Sequence, residues 1–304
     1  MTSISISDVL TIIFVLVDDW YQMKALQRVK IKRGRKPKFT DSEVLTLMLA
    51  QDFIPFASET QFLGYIRANH LDMFPHLLDQ SQFNRRARSL RMAVEEIRRF
   101  WITQKGLLKH TNYLLDTKPI PVMGYKRHKK HSDFLGSAAY GYCASRKMKY
   151  FGYKLVTIST LNGIPIVYDL VPANVDERLA AETVTEHLAY CDIFADKGFI
   201  GFEWQTKLFD QTGNMIWTPM RSNQESLNSK GLDRWLCSVR ERIEGVFHEL
   251  QNTGRNIERL LAKTVHGFCT RISIKLTSHL LRFILRHDYG IDVQTFSVST
   301  SGAF

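Results

Sequence analysis

Cysteine is scarce. There are four in 304 residues, Cys143, Cys191, Cys237 and Cys269, and no two form a C-x-x-C pair. That spacing excludes zinc ribbons and dithiol redox motifs and points to reduced, mostly buried thiols in a cytosolic protein. Long apolar runs are also lacking. The most apolar N-terminal run, "VLTIIFVLV" (residues 9–17), is bounded by Asp8 and Asp18. It falls far short of the roughly 20 residues a membrane span needs. No cationic residue precedes it, which argues against a secretory leader and for a core helix of a cytoplasmic protein. No basic amphipathic helix with a clean apolar face stands out, so no membrane partner is expected. No internal repeat of solenoid length recurs.

Acidic residues are the remaining shortage. Lys and Arg total 41 against 30 Asp and Glu, a net charge of +11 with histidine neutral. Such an excess calls for an anionic partner, nucleic acid first. With 44% hydrophobic residues the chain is globular, and its length suits one large domain or two ordinary ones.

Residues 1–110 read as helical. "FTDSEVLTLMLAQDF" opens on Thr40 with Glu43 three residues later, a capping box, and Val44, Leu45, Met48 and Leu49 follow at helical spacing. A helix is expected over Thr60 to His70, and a further, Arg-rich one over 81–104. In that helix Phe83, Ala87, Leu90, Val94 and Ile97 form the apolar stripe, while Arg85, Arg86, Arg88, Arg91, Arg98 and Arg99 fall outside it. "RVKIKRGRKPKF" (28–39) holds seven Lys or Arg beside Gly34 and Pro37. It is an exposed basic loop, either a solvated linker or an arm reaching into a DNA minor groove through Arg33, Arg35, Lys36 and Lys38.

From residue 111 the pattern alternates between strand and helix. "YKLVTIST" (153–160) and "IPIVYDLV" (164–171) flank "LNG" and predict a hairpin. "ERLAAETVTEHLAY" (177–190) is a helix, "DIFADKGFIG" (192–201) a short strand running into a turn at Lys197-Gly198, and "MIWTPM" (215–220) a last strand. Residues 238–287 look helical, in two pieces broken near Gly267, and 294–304 look like a loose tail. The resulting division is a helical domain over 1–110, an α/β domain over 111–290 with a basic insertion at 124–152, and a flexible tail over 291–304.

Three carboxylates stand out. Asp116 interrupts "LLDTKPIPV" where a strand should be most buried, Asp196 lies just past a later strand, and Glu244 flanks the apolar stripe of "SVRERIEGVFHEL". Each has an ordinary explanation: a strand end, a turn, a solvated helix residue paired with Arg240 or His248. Together they point to a ligand site outside strand ends. Converging carboxylates repel one another unless a cation compensates, and hard divalent ions take such oxygen ligands. Two such ions about 4 Å apart can clamp the attacking and leaving oxygens of a phosphodiester. Should one assignment fail, Glu241 or Glu249 could replace Glu244, and Asp192 or Asp176 could replace Asp196.

These residues resemble the transposases of small bacterial insertion sequences, specifically insertion-sequence group nine-eight-two. The likeness covers about residues 38–286 and includes "RKPKFTDSEVL", "SQFNRRARSL", "YDLVPANVDE", "ADKGFIG" and "RERIEGVFHEL". It implies a ribonuclease H-like mixed-sheet core with a D-D-E triad of Asp116, Asp196 and Glu244 as ligands of two Mg²⁺ ions, with Mn²⁺ able to substitute. It also implies transposon terminal inverted repeats and target DNA as partners, a homodimer or larger synaptic complex, and a nucleoid-associated place in the bacterial cytoplasm. Related groups carry Y-x2-R-x3-E-x6-K around the glutamate. Here Arg240 and Glu244 fit, but Cys237 and Gln251 stand at the tyrosine and lysine positions.

The stretch 124–154 adds Lys126, Arg127, Lys129, Lys130, Arg146 and Lys147, with Phe134, Tyr140, Tyr142, Tyr150, Phe151 and Tyr153 among them. Cations can hold phosphates and aromatic faces can stack on unpaired bases; the alternative is a solvated loop with its aromatics folded onto the sheet. Three functions follow: a transposase joining ends to target DNA, a nuclease of the same core that never joins strands, and a catalytically silent DNA-binding protein.

Overall fold

Apolar residues three and four apart build the helices of the N-terminal part. The computed structural model describes residues 4–27, 37–54, 56, 58–127, 129–144, 146–220, 228–254, 256–291 and 293, apart from the side chains of residues 25, 240 and 243. Among the described residues no helix is long and apolar enough to cross a membrane. The chain divides into two compact units. One is Met1–Arg98 with Thr253–Asn256 and Cys269–Phe304; the other is Arg99–Asn252 with Ile257–Phe268.

In the first unit, α1 (Ile6–Gln27) buries Val9, Leu10, Ile13, Val17 and Trp20 along one stripe. Helix α2 (Asp41–Ala50) opens on the expected capping box. The Glu43 N–H donates to Thr40 Oγ1 at 3.1 Å, and the Thr40 N–H donates to the Glu43 carboxylate at 2.6 Å. Helix α3 (Glu59–Asn69) lies where one was expected. The Arg-rich segment is two helices, not one: α4 (Gln80–Ser89) and α5 (Arg91–Gln104), divided at Leu90, whose backbone turns to φ −93° and ψ 6°. The Ser89 hydroxyl donates to the Arg86 carbonyl at 2.7 Å, competing for an acceptor the helix would use itself.

The second unit is built on a six-stranded sheet. Its elements are β1 (Asn112–Met123), β2 (Ala139–Cys143), β3 (Met148–Thr160), β4 (Pro165–Pro172), α6 (Glu177–Thr185), β5 (Asp192–Ala195), α7 (Phe202–Thr212), β6 (Met215–Trp217) and α8 (Lys230–Asn252). Strand β3 pairs antiparallel with β1 on one edge. Its other edge takes β2 along residues 148–152 and β4 along 153–159, both antiparallel. Strand β5 then lies parallel to β1, and β6 parallel to β5. An antiparallel run joined through helices to strands parallel with the first is the ribonuclease H-like mixed sheet expected here.

The expected β3–β4 hairpin turns at Gly163, with φ +83°. A Cβ there would come within 2.8 Å of Val246 Cγ2 on α8, so glycine allows both the left-handed turn and the close passage of the helix. Leu236, Val239, Val246, Phe247 and Leu250 are the buried side of α8, and Trp235 meets Phe194 of β5 edge-on at 4.7 Å. The helical break expected near Gly267 lies instead at 253–264. Gly254 (φ +50°) and Leu261 (φ +55°) take left-handed conformations there, and Gly267 sits inside α9 (Val265–Tyr289). From Cys269 onward α9 belongs to the first unit, not to the 111–290 domain expected from sequence. The expected tail 294–304 lies outside the described residues.

Within the first unit, Lys275 on α9 donates to Asp52 Oδ1 at 2.8 Å and Oδ2 at 3.1 Å, with the two side chains only 1% and 4% exposed. A buried pair stripped of one member leaves an uncompensated charge. Asp52→Ala is therefore expected to cost about 3–5 kcal/mol in urea unfolding, and Asp52→Ala with Lys275→Met to recover much of that loss.

Candidate active site

Strand β1 starts as a core strand and changes character at one residue. Tyr113, Leu114 and Leu115 are buried, whereas Asp116 and Thr117 are half-buried. The parallel pairing of β1 with β5 matches Asn112 with Asp192 and continues to Leu115 with Ala195. Asp116 and Asp196 are therefore the next positions along two neighbouring chains. Asp196 ends β5 by capping a 3₁₀ turn over Lys197–Phe199, its Oδ1 accepting the Gly198 N–H at 2.5 Å. Asp116 Oδ1 accepts the Thr117 N–H at 2.7 Å. Glu244 is on the exposed side of α8.

All three carboxylates line one cavity of about 640 Å³ in the second unit, with Thr117, Lys118, Tyr150, Glu177, Gly198, His248 and Gln251 among its other walls. The fallback residues are used elsewhere. Asp192 accepts the Trp217 indole N–H at 2.7 Å, and Asp176 caps α6, accepting the Arg178 N–H at 2.9 Å. The Arg178 side chain holds the Asp176 carboxyl below its usual range, against some opposing burial. Glu241 and Glu249 are not among the cavity's lining residues.

Hard, all-oxygen donors, two half-buried and one exposed, are the donor chemistry a divalent ion of the Mg²⁺ class takes. Among the described residues, however, no three His, Cys, Asp or Glu side chains are gathered closely enough to hold a metal ion. The donor set fits such an ion; a closed coordination shell is not formed.

A cationic network borders the carboxylates. Glu258 accepts from Lys118 Nζ at 3.1 Å and from Arg146 Nη1 at 2.8 Å, and Gln251 Nε2 donates to it as well. Lys118 also stands 5.1 Å from the centre of the Phe247 ring. Burial lowers the Lys118 ammonium from its ordinary value, with Glu258 pulling the other way. Burial raises Glu258, but Arg146 and Lys118 outweigh it and hold the carboxyl below its usual range. Burial, with Cys143 and Glu177 adding to it, pushes the Tyr150 phenol up to about 12. Neither Thr117, Lys118, Glu177 nor Glu258 was singled out from the sequence. Lys118 could have been, since it lies two residues beyond Asp116 on a strand; nothing in the sequence marks Glu258.

The cations proposed for DNA divide by exposure. Lys38, Arg85, Lys126, Arg127, Lys130, Arg146 and Lys147 are exposed. Lys129 is only 8% exposed and acts as a peg, donating to the carbonyls of Gly124, Tyr125 and Arg127 over the rings of Tyr140 and Phe151. Arg86 is half-buried on the Phe39 carbonyl and the Asp41 carboxylate, and Arg88 is half-buried. Arg33, Arg35, Lys36 and the Arg240 side chain lie outside the described residues. Of the six aromatics offered for base stacking, Phe134, Tyr150, Phe151 and Tyr153 are buried, leaving Tyr140 and Tyr142 exposed. The reason is local: 139–143 and 148–152 are strand, not loop, and the rings of Phe134 and Tyr153 pack with Phe268.

The sheet topology, an antiparallel run with two further strands parallel to the first, is ribonuclease H-like. A family model described as a transposase DDE domain matches residues 107–261, and the chain belongs to that family of DDE transposases. No curated protein matches this chain. One solved structure it is similar to is the Mos1 transposase paired-end complex with left transposon end, at 15% identity over 84% of this chain and 86% of that one, with a TM-score of 0.20.

Because Glu258 titrates below its unfolded value, its stabilising contribution is present above the ordinary glutamate value, near ~4.3. That contribution is lost as pH falls through the lower folded value. Glu258→Gln should accordingly lower stability at neutral pH by about 3 kcal/mol. In denaturant unfolding across an acid series, its gap from wild type should narrow as pH drops below 4.3 or so.

Proposed function

We propose that this transposase cuts DNA at transposon ends and joins the freed ends to target DNA, with Asp116, Asp196 and Glu244 as its catalytic carboxylates. The observation that carries the proposal is the β1–β5 register, which sets the two aspartates at adjacent strand ends in a cavity that Glu244 also lines. Those three side chains would hold two divalent ions, Mg²⁺ with Mn²⁺ as a substitute. Such ions, when bound, supply Lewis-acid stabilisation of charge on the attacking and leaving oxygens of a phosphodiester.

The chain's own groups do the rest. Hydrogen bonds from the Thr117 and Gly198 N–H groups hold one oxygen of each aspartate at the cavity wall. Lys118 and Arg146 supply positive charge beside the carboxylates, which offsets the repulsion a DNA phosphate meets on entry. A water first attacks the scissile phosphodiester, leaving a 5′-phosphate and releasing a 3′-hydroxyl; that hydroxyl then attacks a target phosphodiester in the same site, forming a new phosphodiester as the target strand's own 3′-oxygen leaves and takes up a proton. The exposed cations Lys126, Arg127, Lys130, Arg146 and Lys147, together with Lys38 and Arg85, track phosphates. Two ends brought to one complex need two protomers, so the working form is a homodimer or larger, acting on the bacterial nucleoid. The sequence likeness supports insertion-sequence group nine-eight-two within the family.

Asp116→Ala, Asp196→Ala and Glu244→Ala should each lower cleavage of labelled terminal-repeat DNA by ~10⁴-fold while gel-shift affinity for the same DNA stays near wild type. With pre-cut ends, wild type should yield joined products; nicked or linear products alone would indicate a nuclease. Full cleavage by Glu244→Ala would remove Glu244 from the triad. Replacing Lys126 or Arg127 by Ala should weaken DNA binding across sequences and reduce the log–log salt slope by about 1 each.

A further inference from the structure

The cavity contains a fourth carboxylate that the D-D-E signature does not include. Glu177 is the first residue of α6, directly after the Asp176 cap. The turn before it is tied to the sheet by Lys154, whose Nζ donates to the Val175 carbonyl at 2.5 Å. From that position Glu177 reaches two catalytic segments at once. Its Oε1 accepts the Thr117 hydroxyl at 3.1 Å, and Thr117 is the residue whose N–H holds Asp116. Its Oε2 lies against Gly198, the residue whose N–H holds Asp196. A Cβ at position 198 would stand 2.2 Å from that oxygen and 2.9 Å from Asp196 Oδ1. Glycine at 198 is thus what lets the glutamate close on the β5 turn. The two contacts use different oxygens of one side chain and fall on the two chain segments that the β1–β5 pairing also joins.

We propose that Glu177 is a positioning residue: through the Thr117 hydroxyl and its seat against Gly198 it fixes the ends of β1 and β5, so that Asp116 and Asp196 are presented together to a divalent ion. The inference rests on the assignment of those two aspartates. Partners that orient first ligands in this way typically contribute 10- to 100-fold, roughly, to metal affinity. The effect runs through geometry and not through the glutamate's charge, because the oxygen that accepts from Thr117 persists in a glutamine side chain.

The test is Mn²⁺ binding to the full chain without DNA, followed by the electron paramagnetic resonance of free Mn²⁺, alongside the Mn²⁺ dependence of end cleavage. Glu177→Ala and Thr117→Val should each weaken Mn²⁺ binding by about 10-fold, with the double variant no worse than the weaker single one, since both remove one shared link. Glu177→Gln and Thr117→Ser should stay close to wild type. For the two weakened variants, cleavage should need more Mn²⁺ but approach the wild-type rate at saturation. Wild-type affinity in Glu177→Ala overturns the proposal, as does a loss in Glu177→Gln equal to that in Glu177→Ala with Thr117→Val unaffected. Asp116→Ala and Asp196→Ala serve as controls: if both bind Mn²⁺ like wild type, the parent assignment is what fails, and this proposal with it.

Discussion

The catalytic unit depends on the parallel pairing of β1 with β5. A parallel pair must be joined by a crossover, and here the chain spends β2, β3, β4 and α6 between the two strands. The pairing takes only four residues on each strand, yet it decides which side chains emerge side by side at their ends. A slip of one residue would send Asp116 to the other face of the sheet and separate it from Asp196. Buried Leu114, Leu115, Ile193 and Phe194 hold the register, because any slip would also bring core residues into water. A few apolar side chains thus maintain the geometry of the polar ones.

That arrangement also explains how a carboxylate comes to follow three buried residues. Asp116 lies where β1 leaves the core, with one oxygen satisfied by its neighbour's N–H and the cavity beside it. The surrounding wall is electrically divided. Aspartates and glutamates face the strand ends, while Lys118 and Arg146 share Glu258 at the border. A phosphodiester carries negative charge into such a site, so cations beside the carboxylates reduce the cost of its approach. Lys118 retains its place although burial disfavours its charged form, because Glu258 compensates it and the Phe247 ring lies beneath.

Much of this was legible beforehand. Hairpin, strand and turn around Gly163 and Gly198 follow from period-two patterning and from residues that turns require. The capping box at Thr40 and the three carboxylates in one cavity were also within reach of pattern and family likeness. What escaped was tertiary. Leu90 divides what looks like one continuous helical stripe, and no cap residue announces the division. The aromatics at 134–153 read as stacking platforms because their strand partners are far away in sequence. Lys129 looked like a surface cation among others, yet its ammonium is enclosed by three carbonyls. Glu177 and Glu258 look like ordinary helix and loop acids until the fold brings Thr117, Lys118 and Arg146 to them.

The central claim is that side chains of two neighbouring strand ends and one helix hold the ions of a phosphoryl-transfer site. Anomalous diffraction from a Mn²⁺-soaked crystal of the protein bound to its terminal repeat addresses it most directly. The account predicts manganese in the cavity with the carboxylates of Asp116 and Asp196 as ligands and Glu244 completing the shell. Manganese bound only elsewhere, or bound there without Asp116, would contradict it.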